Sequence, residues 1–149
     1  MVNGKASYLV KCPSCGASNR VPEEMAGKSG KCGECHGNLP ALYVEPIELG
    51  DSTFREFLQG YAGPVLADFW AVWCSHCRNL ATVIRQVAAE MAGRGAVVQV
   101  NIDVSRGLAS SYQISGIPTM LVIKGGQVVE RISGERRKET LVDLMLRHA

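Results

Sequence analysis

The sequence predicts an α/β fold: a mixed central sheet with helices on both faces, preceded by a small cysteine-rich module. Three observations point to it. From Glu45 onward, apolar runs of strand length alternate with segments of helical periodicity, the pattern of parallel strands joined by crossover helices. Gly125-Gly126 separates two strand-like runs and marks a hairpin, which adds an antiparallel edge. Before Glu45 the chain is rich in glycine and proline, holds four of the six cysteines and shows little apolar periodicity. A segment that short buries too little surface to fold without a clamp. Pro46 and Gly50 punctuate the change of pattern, so the boundary is placed between residues 43 and 49. The expected units are residues 8–44 and 45–149.

Within the second unit, Asp51 or Ser52 can cap a helix running to about Gln59, with Phe54, Phe57 and Leu58 on one face. Gly60 and Gly63-Pro64 end it. Val65–Trp70 reads as a strand with Asp68 inside it, and a short leading strand is expected near Val44–Ile47. Cys74–Met91 reads as a long helix in which Leu80, Val83, Ile84, Val87 and Met91 form a stripe for burial. Ala96–Ile102 is apolar enough for a central strand. Ser105 can cap a shorter helix through Tyr112. Thr119–Ile123 and Gln127–Ile132 are the arms of the hairpin. Arg136–Arg147 closes the chain as a helix burying Leu141, Leu144 and Met145.

Composition removes several function classes. Sixteen Lys and Arg against fourteen Asp and Glu give a formal charge of +2, too little to argue for nucleic acid or an anionic membrane as a partner. No apolar run approaches the ~18 residues of a membrane span. Met1–Lys11 shows neither a signal-peptide core nor a small-residue cleavage site, and a cytoplasmic location is expected. The basic cluster Arg131, Arg136, Arg137 and Lys138 is read as a solvated face.

The six cysteines fall into three C-x-x-C pairs: Cys12/Cys15, Cys32/Cys35 and Cys74/Cys77. In a reducing compartment structural disulfides are rare, which leaves metal binding and redox chemistry as the main uses; a framework of three disulfides, with 15 pairings, is the lesser reading. Cys12-Pro-Ser-Cys15 and Cys32-Gly-Glu-Cys35 are separated by sixteen residues. Each can present two sulfurs from one tight knuckle, with Gly16 and Gly33 relieving the turns. Two knuckles supply the four thiolates of a structural zinc site. Such a site is closed, so this Zn2+ would hold the module together and not catalyse. His36 adjoins Cys35 and is expected at the surface, outside the ligand set.

The third pair stands where a strand runs out and a helix begins, in the stretch Ala67-Asp68-Phe69-Trp70-Ala71-Val72-Trp73-Cys74-Ser75-His76-Cys77-Arg78. Cys74 at a helix N-terminus meets free backbone N–H groups and the positive end of the helix dipole, which favour the thiolate. Cys77 follows one turn later and can resolve a mixed disulfide formed by Cys74. Asp68, in an otherwise apolar strand, should have a raised pKa and is placed to exchange a proton with Cys77. His76 can bond to the thiolate or add charge, and both effects would make the disulfide more oxidising. Trp70 and Trp73 flank the pair; core packing accounts for at least one, and Trp73 can border a substrate groove. Ile117-Pro118-Thr119 precedes the third core strand, where a proline is tolerated.

Together these stretches resemble the thioredoxin family, in the thioredoxin-2 type with an N-terminal zinc ribbon. FWAVWCSHC is similar to the family's active-site stretch, and GIPTM at Gly116–Met120 to its cis-proline loop. VNID at Val100–Asp103, Gly125-Gly126, and the CPSC and CGEC pairs with the intervening NRVPEE at Asn19–Glu24 fit the same order. The resemblance implies a thioredoxin fold, Pro118 in cis against the dithiol, and Ile117 offering backbone hydrogen bonds to an extended substrate. It implies reduction of protein disulfides, electrons from an NADPH-dependent thioredoxin reductase, and no bound organic cofactor.

The chain departs from the family pattern in three places. Ser75-His76 stands where Gly-Pro is usual, Gln99 stands where a Lys usually lies near the buried Asp, and a helix-kinking proline is replaced near Thr82. The third change leaves either a straighter helix or a bend made by Thr82 bonding back to a carbonyl. The first keeps a rival open, a more oxidising oxidase or isomerase tuned by His76. A second rival is a non-enzymatic, zinc-dependent binding or chaperone protein.

Overall fold

The computed structural model describes residues 7–22 and 25–149. Met1–Ala6, and Glu23 and Glu24 of the NRVPEE stretch, lie outside the described residues. The front of the chain forms two small antiparallel ladders, β1 (Ser7–Lys11) with β2 (Ser18–Pro22), and β3 (Gly30–Lys31) with β4 (Asn38–Leu39). Apolar periodicity does not announce them. They are set by the knuckles: Gly16 N–H donates to the Cys12 carbonyl and His36 N–H to the Cys32 carbonyl, each closing a turn that sends the chain back on itself. Val10, Cys12, Cys32, Leu39 and Leu42 form a small core between them.

The remainder folds as β5 (Ile47–Glu48), α1 (Phe54–Gly60), β6 (Val65–Trp70), α2 (Ser75–Glu90), β7 (Ala96–Asn101), α3 (Arg106–Ser111), β8 (Thr119–Lys124), β9 (Gln127–Ser133) and α4 (Lys138–Leu146). The sheet order is β5-β7-β6-β8-β9. The pairings β5/β7 and β6/β7 are parallel, and β6/β8 and β8/β9 antiparallel, so the sheet is mixed as expected. The leading strand falls at Ile47–Glu48, at the end of its expected place.

β6 is buried on both faces, and its alternation divides the core. Val65, Ala67 and Phe69 face a cluster with Phe54, Leu108 and Leu121, while Leu66 faces one with Leu80, Ile84, Val87 and Leu141. Asp68 shares Leu66's face because side chains two apart in a strand point the same way. That puts the acid on the side covered by α2, the helix that starts at the third cysteine pair.

Helix capping differs from the sequence expectation. Thr53, not Asp51 or Ser52, occupies the N-cap of α1, with no side-chain cap. Asp51 instead accepts from the backbone N–H groups of Leu108 at 2.9 Å and Gly107 at 3.4 Å. It caps α3 from across the fold, where Ser105 holds the N-cap position without a side-chain bond. α2 is one continuous helix, and Thr82 Oγ1 accepts from Arg85 instead of bonding back to a carbonyl.

The front module meets the α/β unit through its last residues. The Tyr43 ring lies edge-on to Phe57 and Tyr61, and its hydroxyl donates to the Gly27 carbonyl at 3.0 Å. Leu42 reaches the turn after α2, where a Cβ on Gly93 would stand 2.9 Å from its methyl. That turn is about 24 Å along a sixteen-residue helix from the third cysteine pair.

Candidate redox site and cysteine cluster

α2 begins where β6 ends, after the exposed residues Val72 and Trp73. Cys74 is the N-cap of α2, and its sulfur accepts the Cys77 backbone N–H at 3.1 Å. The structure shows the two cysteines joined as a disulfide, with Cα atoms 5.2 Å apart. Around them pack Ala71, Trp70, Ile102 and Ile117. Cys74 is 7% exposed and Cys77 5%, so the pair is more covered than an open surface thiol would be.

The two sulfurs face different surroundings. Cys74 Sγ lies 3.9 Å from the Ile117 carbonyl oxygen, at the loop that carries the cis Ile117–Pro118 bond. The Gly134 N–H donates to the Pro118 carbonyl at 2.9 Å and ties that loop to the end of β9. Cys77 instead lines a cavity of about 350 Å³ with Trp70, Arg78, Arg85, Gln99 and Glu45. Trp73 is 65% exposed, and its indole N–H donates to Asp103 at 2.8 Å. That bond holds a large apolar ring in water beside the disulfide, with exposed Val72 next to it in sequence.

Asp68 is 2% exposed. Its Oδ2 accepts from Gln99 at 3.2 Å, while Oδ1 has no protein partner among the described residues. Burial pushes its carboxyl up to about 6, against the Gln99 hydrogen bond and with help from the Glu48 carboxylate. The register explains the grouping, since Gln99 pairs with Asp68 on β6 and with Glu48 on β5. Residues opposite one another in a ladder share a face, so the three form a row. Gln99 therefore bonds to the acid and also borders the cavity that Cys77 faces.

His76 does not turn to the disulfide. Its Nδ1 is in hydrogen-bond contact with Glu135 Oε2, in the loop between β9 and α4. Glu135 escapes sequence reading because 59 residues separate it from its partner and no local motif marks it. Asp103 is missed in the same way as the anchor of Trp73. The basic cluster is exposed or paired: Arg131 donates to the Tyr112 carbonyl, and Lys138 pairs with Glu90 at 3.1 Å.

In the front module, the sulfurs of Cys12, Cys15, Cys32 and Cys35 all lie within 4.8 Å of one another. Cys12 and Cys35 stand 3.6 Å apart, as do Cys15 and Cys32. A tetrahedron with ~2.3 Å metal–sulfur bonds has edges of ~3.8 Å, so the four residues fit one closed ion. Backbone N–H groups of Ser14, Glu34 and Gly37 point at three of the sulfurs, each at 3.4 Å. Asn19 donates to Cys32 Sγ at 3.5 Å and accepts the Gly33 N–H at 2.9 Å; it lies within the NRVPEE stretch, but nothing local in the sequence marks that role. The Cys35 backbone N–H, Asn19 and the Glu34 N–H hold Cys32 down to about 6. His36 is exposed and outside the cluster. Gly33 is not the residue that relieves the second knuckle. Gly16 does so in the first at φ +80°, and His36 takes the same left-handed position in the second at φ +63°.

Comparison with known proteins agrees with this geometry. The thioredoxin family model matches residues 45–147, and the model described as "Thioredoxin 2, N-terminal", a zinc ribbon, matches residues 11–37. The chain is 39% identical over 131 residues to thioredoxin C-3 of Corynebacterium nephridii, covering 87% of each chain. It is 41% identical to thioredoxin 1 of Nostoc sp., over 68% of this chain and 94% of that one. Among solved structures, a mutant thioredoxin from Halobacterium salinarum superposes with a TM-score of 0.67 at 30% identity, covering 72% of this chain and 94% of that one. With a C-x-x-C disulfide at the start of α2, a mixed five-stranded sheet and a four-cysteine module in front, the chain belongs to the thioredoxin family, in the thioredoxin-2 architecture with an N-terminal zinc ribbon.

Proposed function

We propose that the protein reduces protein disulfides by thiol–disulfide exchange through Cys74 and Cys77. The observation that carries this reading is the asymmetry of the pair: Cys74 faces the Ile117 carbonyl and Cys77 faces the cavity. In the reduced protein, the Cys74 thiolate at the N-terminus of α2 attacks one sulfur of a substrate disulfide and expels the other as a thiolate. Trp73, Ile117 and Pro118 receive the substrate segment, with the Ile117 backbone bonding to it in extended form. The covered position of Cys74 requires the substrate to settle against this loop before its sulfur is reached. Cys77 then gives its proton to Asp68, attacks Cys74 and releases the second substrate thiol. Two electrons pass from the dithiol to the substrate, and the Cys74–Cys77 bond closes.

A carboxyl that titrates near 6 is ionised at neutral pH and close enough to neutrality to return the proton. Cys12, Cys15, Cys32 and Cys35 hold a structural Zn2+, which supplies folding energy and leaves no open coordination position. The units are taken as residues 8–44, the ribbon, and 45–149, the redox domain. The redox partners are disulfide-containing proteins and an NADPH-dependent thioredoxin reductase, a reading supported by family membership. A cytoplasmic location is supported by the paired C-x-x-C spacing, which suits metal or redox use in a reducing compartment. Among the described residues, no helix is long and apolar enough to cross a membrane.

The test is insulin-disulfide reduction driven by NADPH and thioredoxin reductase. Turnover is expected with the wild-type protein and a loss of at least about 100-fold in Cys74→Ser, which removes the nucleophile. Equal turnover in the variant would end the reading.

A further inference from the structure

A histidine between two redox cysteines would favour the Cys74 thiolate, whether by a hydrogen bond or by its charge, and so make the disulfide a stronger oxidant. The structure places an acid on that histidine. Glu135 Oε2 meets His76 Nδ1 from the opposite rim of the site. The acid is not loosely placed, because the preceding residue, Gly134, donates its N–H to the Pro118 carbonyl at 2.9 Å. Glu135 is thereby fixed to the loop that faces Cys74.

Three neighbouring cations have partners other than the Glu135 carboxylate. Arg136 Nη1 folds onto the Glu135 backbone carbonyl and leaves its carboxylate free for His76. Arg78 donates to the Val72 carbonyl at 2.8 Å. Lys138 pairs with Glu90. Among the described residues, the hydrogen-bond contact of the His76 ring is with Glu135 alone.

We propose that Glu135 is a positioning residue for the redox pair: it holds the His76 ring away from the Cys74 sulfur and keeps the dithiol reducing. The proposal rests on the reductase reading above and names the device that tunes it. Removing the acid frees a ring two residues from Cys74. The freed ring stabilises the thiolate, and hence the reduced form, and shifts the couple towards oxidation of its partner.

The test is the equilibrium between the protein disulfide plus two glutathione thiols and the protein dithiol plus glutathione disulfide. It is measured for wild type, Glu135→Gln, His76→Ala and the double variant. The contact is partly exposed, with His76 70% and Glu135 40% accessible, so a modest effect is expected. Glu135→Gln should raise the equilibrium constant for protein reduction about two- to fivefold, the range of an exposed pair. That is roughly 10–20 mV for a two-electron couple. In the His76→Ala background the same substitution should change it by less than about 1.5-fold, below the range of an exposed pair. An unchanged constant in Glu135→Gln overturns the proposal, and so does an equal shift in both backgrounds, which would make Glu135 a bare charge without a positioning role. A purely structural role would lower the melting temperature without moving this constant. Glutathione equilibration needs neither insulin nor the reductase, so failure of the reductase reading would show separately, in the insulin assay.

Discussion

The ribbon and the α/β domain use the same four-residue cysteine spacing for different ends, and the comparison shows what spacing leaves undetermined. In the ribbon each pair sits on a knuckle whose turn is closed by its own backbone, and backbone N–H groups aim at the sulfurs. Two such knuckles face each other, so the four thiols share one small volume. In the domain the pair opens a sixteen-residue helix, and the two sulfurs meet different surroundings. A knuckle converges its sulfurs on a common point, whereas a helix start separates their roles. The chemistry follows from the turn that holds the pair.

The largest effect should come from removing what joins the four ribbon thiols. A strong chelator, or Cys32→Ser, is expected to abolish hydrogen-exchange protection across β1–β4, because the proposed structural Zn2+ would contribute on the order of 10 kcal/mol to such a module. Protection in β6, β7 and β8 should persist, since their core is built on other residues. Loss of protection in both regions together would show that the domain depends on the clamp, and the contrast drawn above would fail.

A smaller effect is expected in the domain, at Asp68. Its folded carboxyl titrates near 6, above the ~3.9 of an unfolded chain. The folded state therefore binds this proton more tightly than the unfolded one. Asp68's contribution is complete below about pH 4 and is lost as pH rises through about 6, with no further change above it. Asp68→Asn carries no charge to bury and should be more stable than wild type by roughly 2–3 kcal/mol at about pH 7. The gain should fade below about pH 4, and resolution of the mixed disulfide should slow. Denaturant titrations at the two pH values check the first statement and stopped-flow kinetics the second. A gain that does not vary with pH would remove the buried charge as its cause.

The smallest effect returns to the ribbon. His36 occupies a left-handed backbone position at φ +63°, the equivalent of Gly16, where a side chain costs about 1 kcal/mol. His36→Gly should raise the ribbon's resistance to chelator by up to about fivefold, the equivalent of that energy. Competition titration against a chromogenic chelator would show it. A drop in metal affinity would instead make His36 part of the site.

What can be read from the sequence, and what cannot, follows from range. The order of strands and helices in the domain is legible because periodicity is local: the stripe Leu80, Ile84, Val87 and the alternation in VLADFW each reveal a buried face within a few residues. Asp68 is legible for a related reason, as the one charge in an apolar strand. Interactions across the fold leave no such trace. Local pattern makes Asp51 a cap for the helix beside it, but its carboxylate caps α3, more than fifty residues away. Spacing aims His76 at Cys74, and the acid that takes it lies beyond β9. The ribbon hairpins escape notice because knuckle hydrogen bonds, not side-chain patterning, define them.

Trp70 and Trp73 are the chain's entire complement of tryptophan. One lines the chamber behind Cys77 and the other stands in solvent on its Asp103 tether. Indole emission from the molecule therefore originates wholly beside the disulfide, with no distant ring to dilute it. The native chain carries its own optical reporter, and opening or closing of the sulfur–sulfur bond can be followed in real time without attaching a dye.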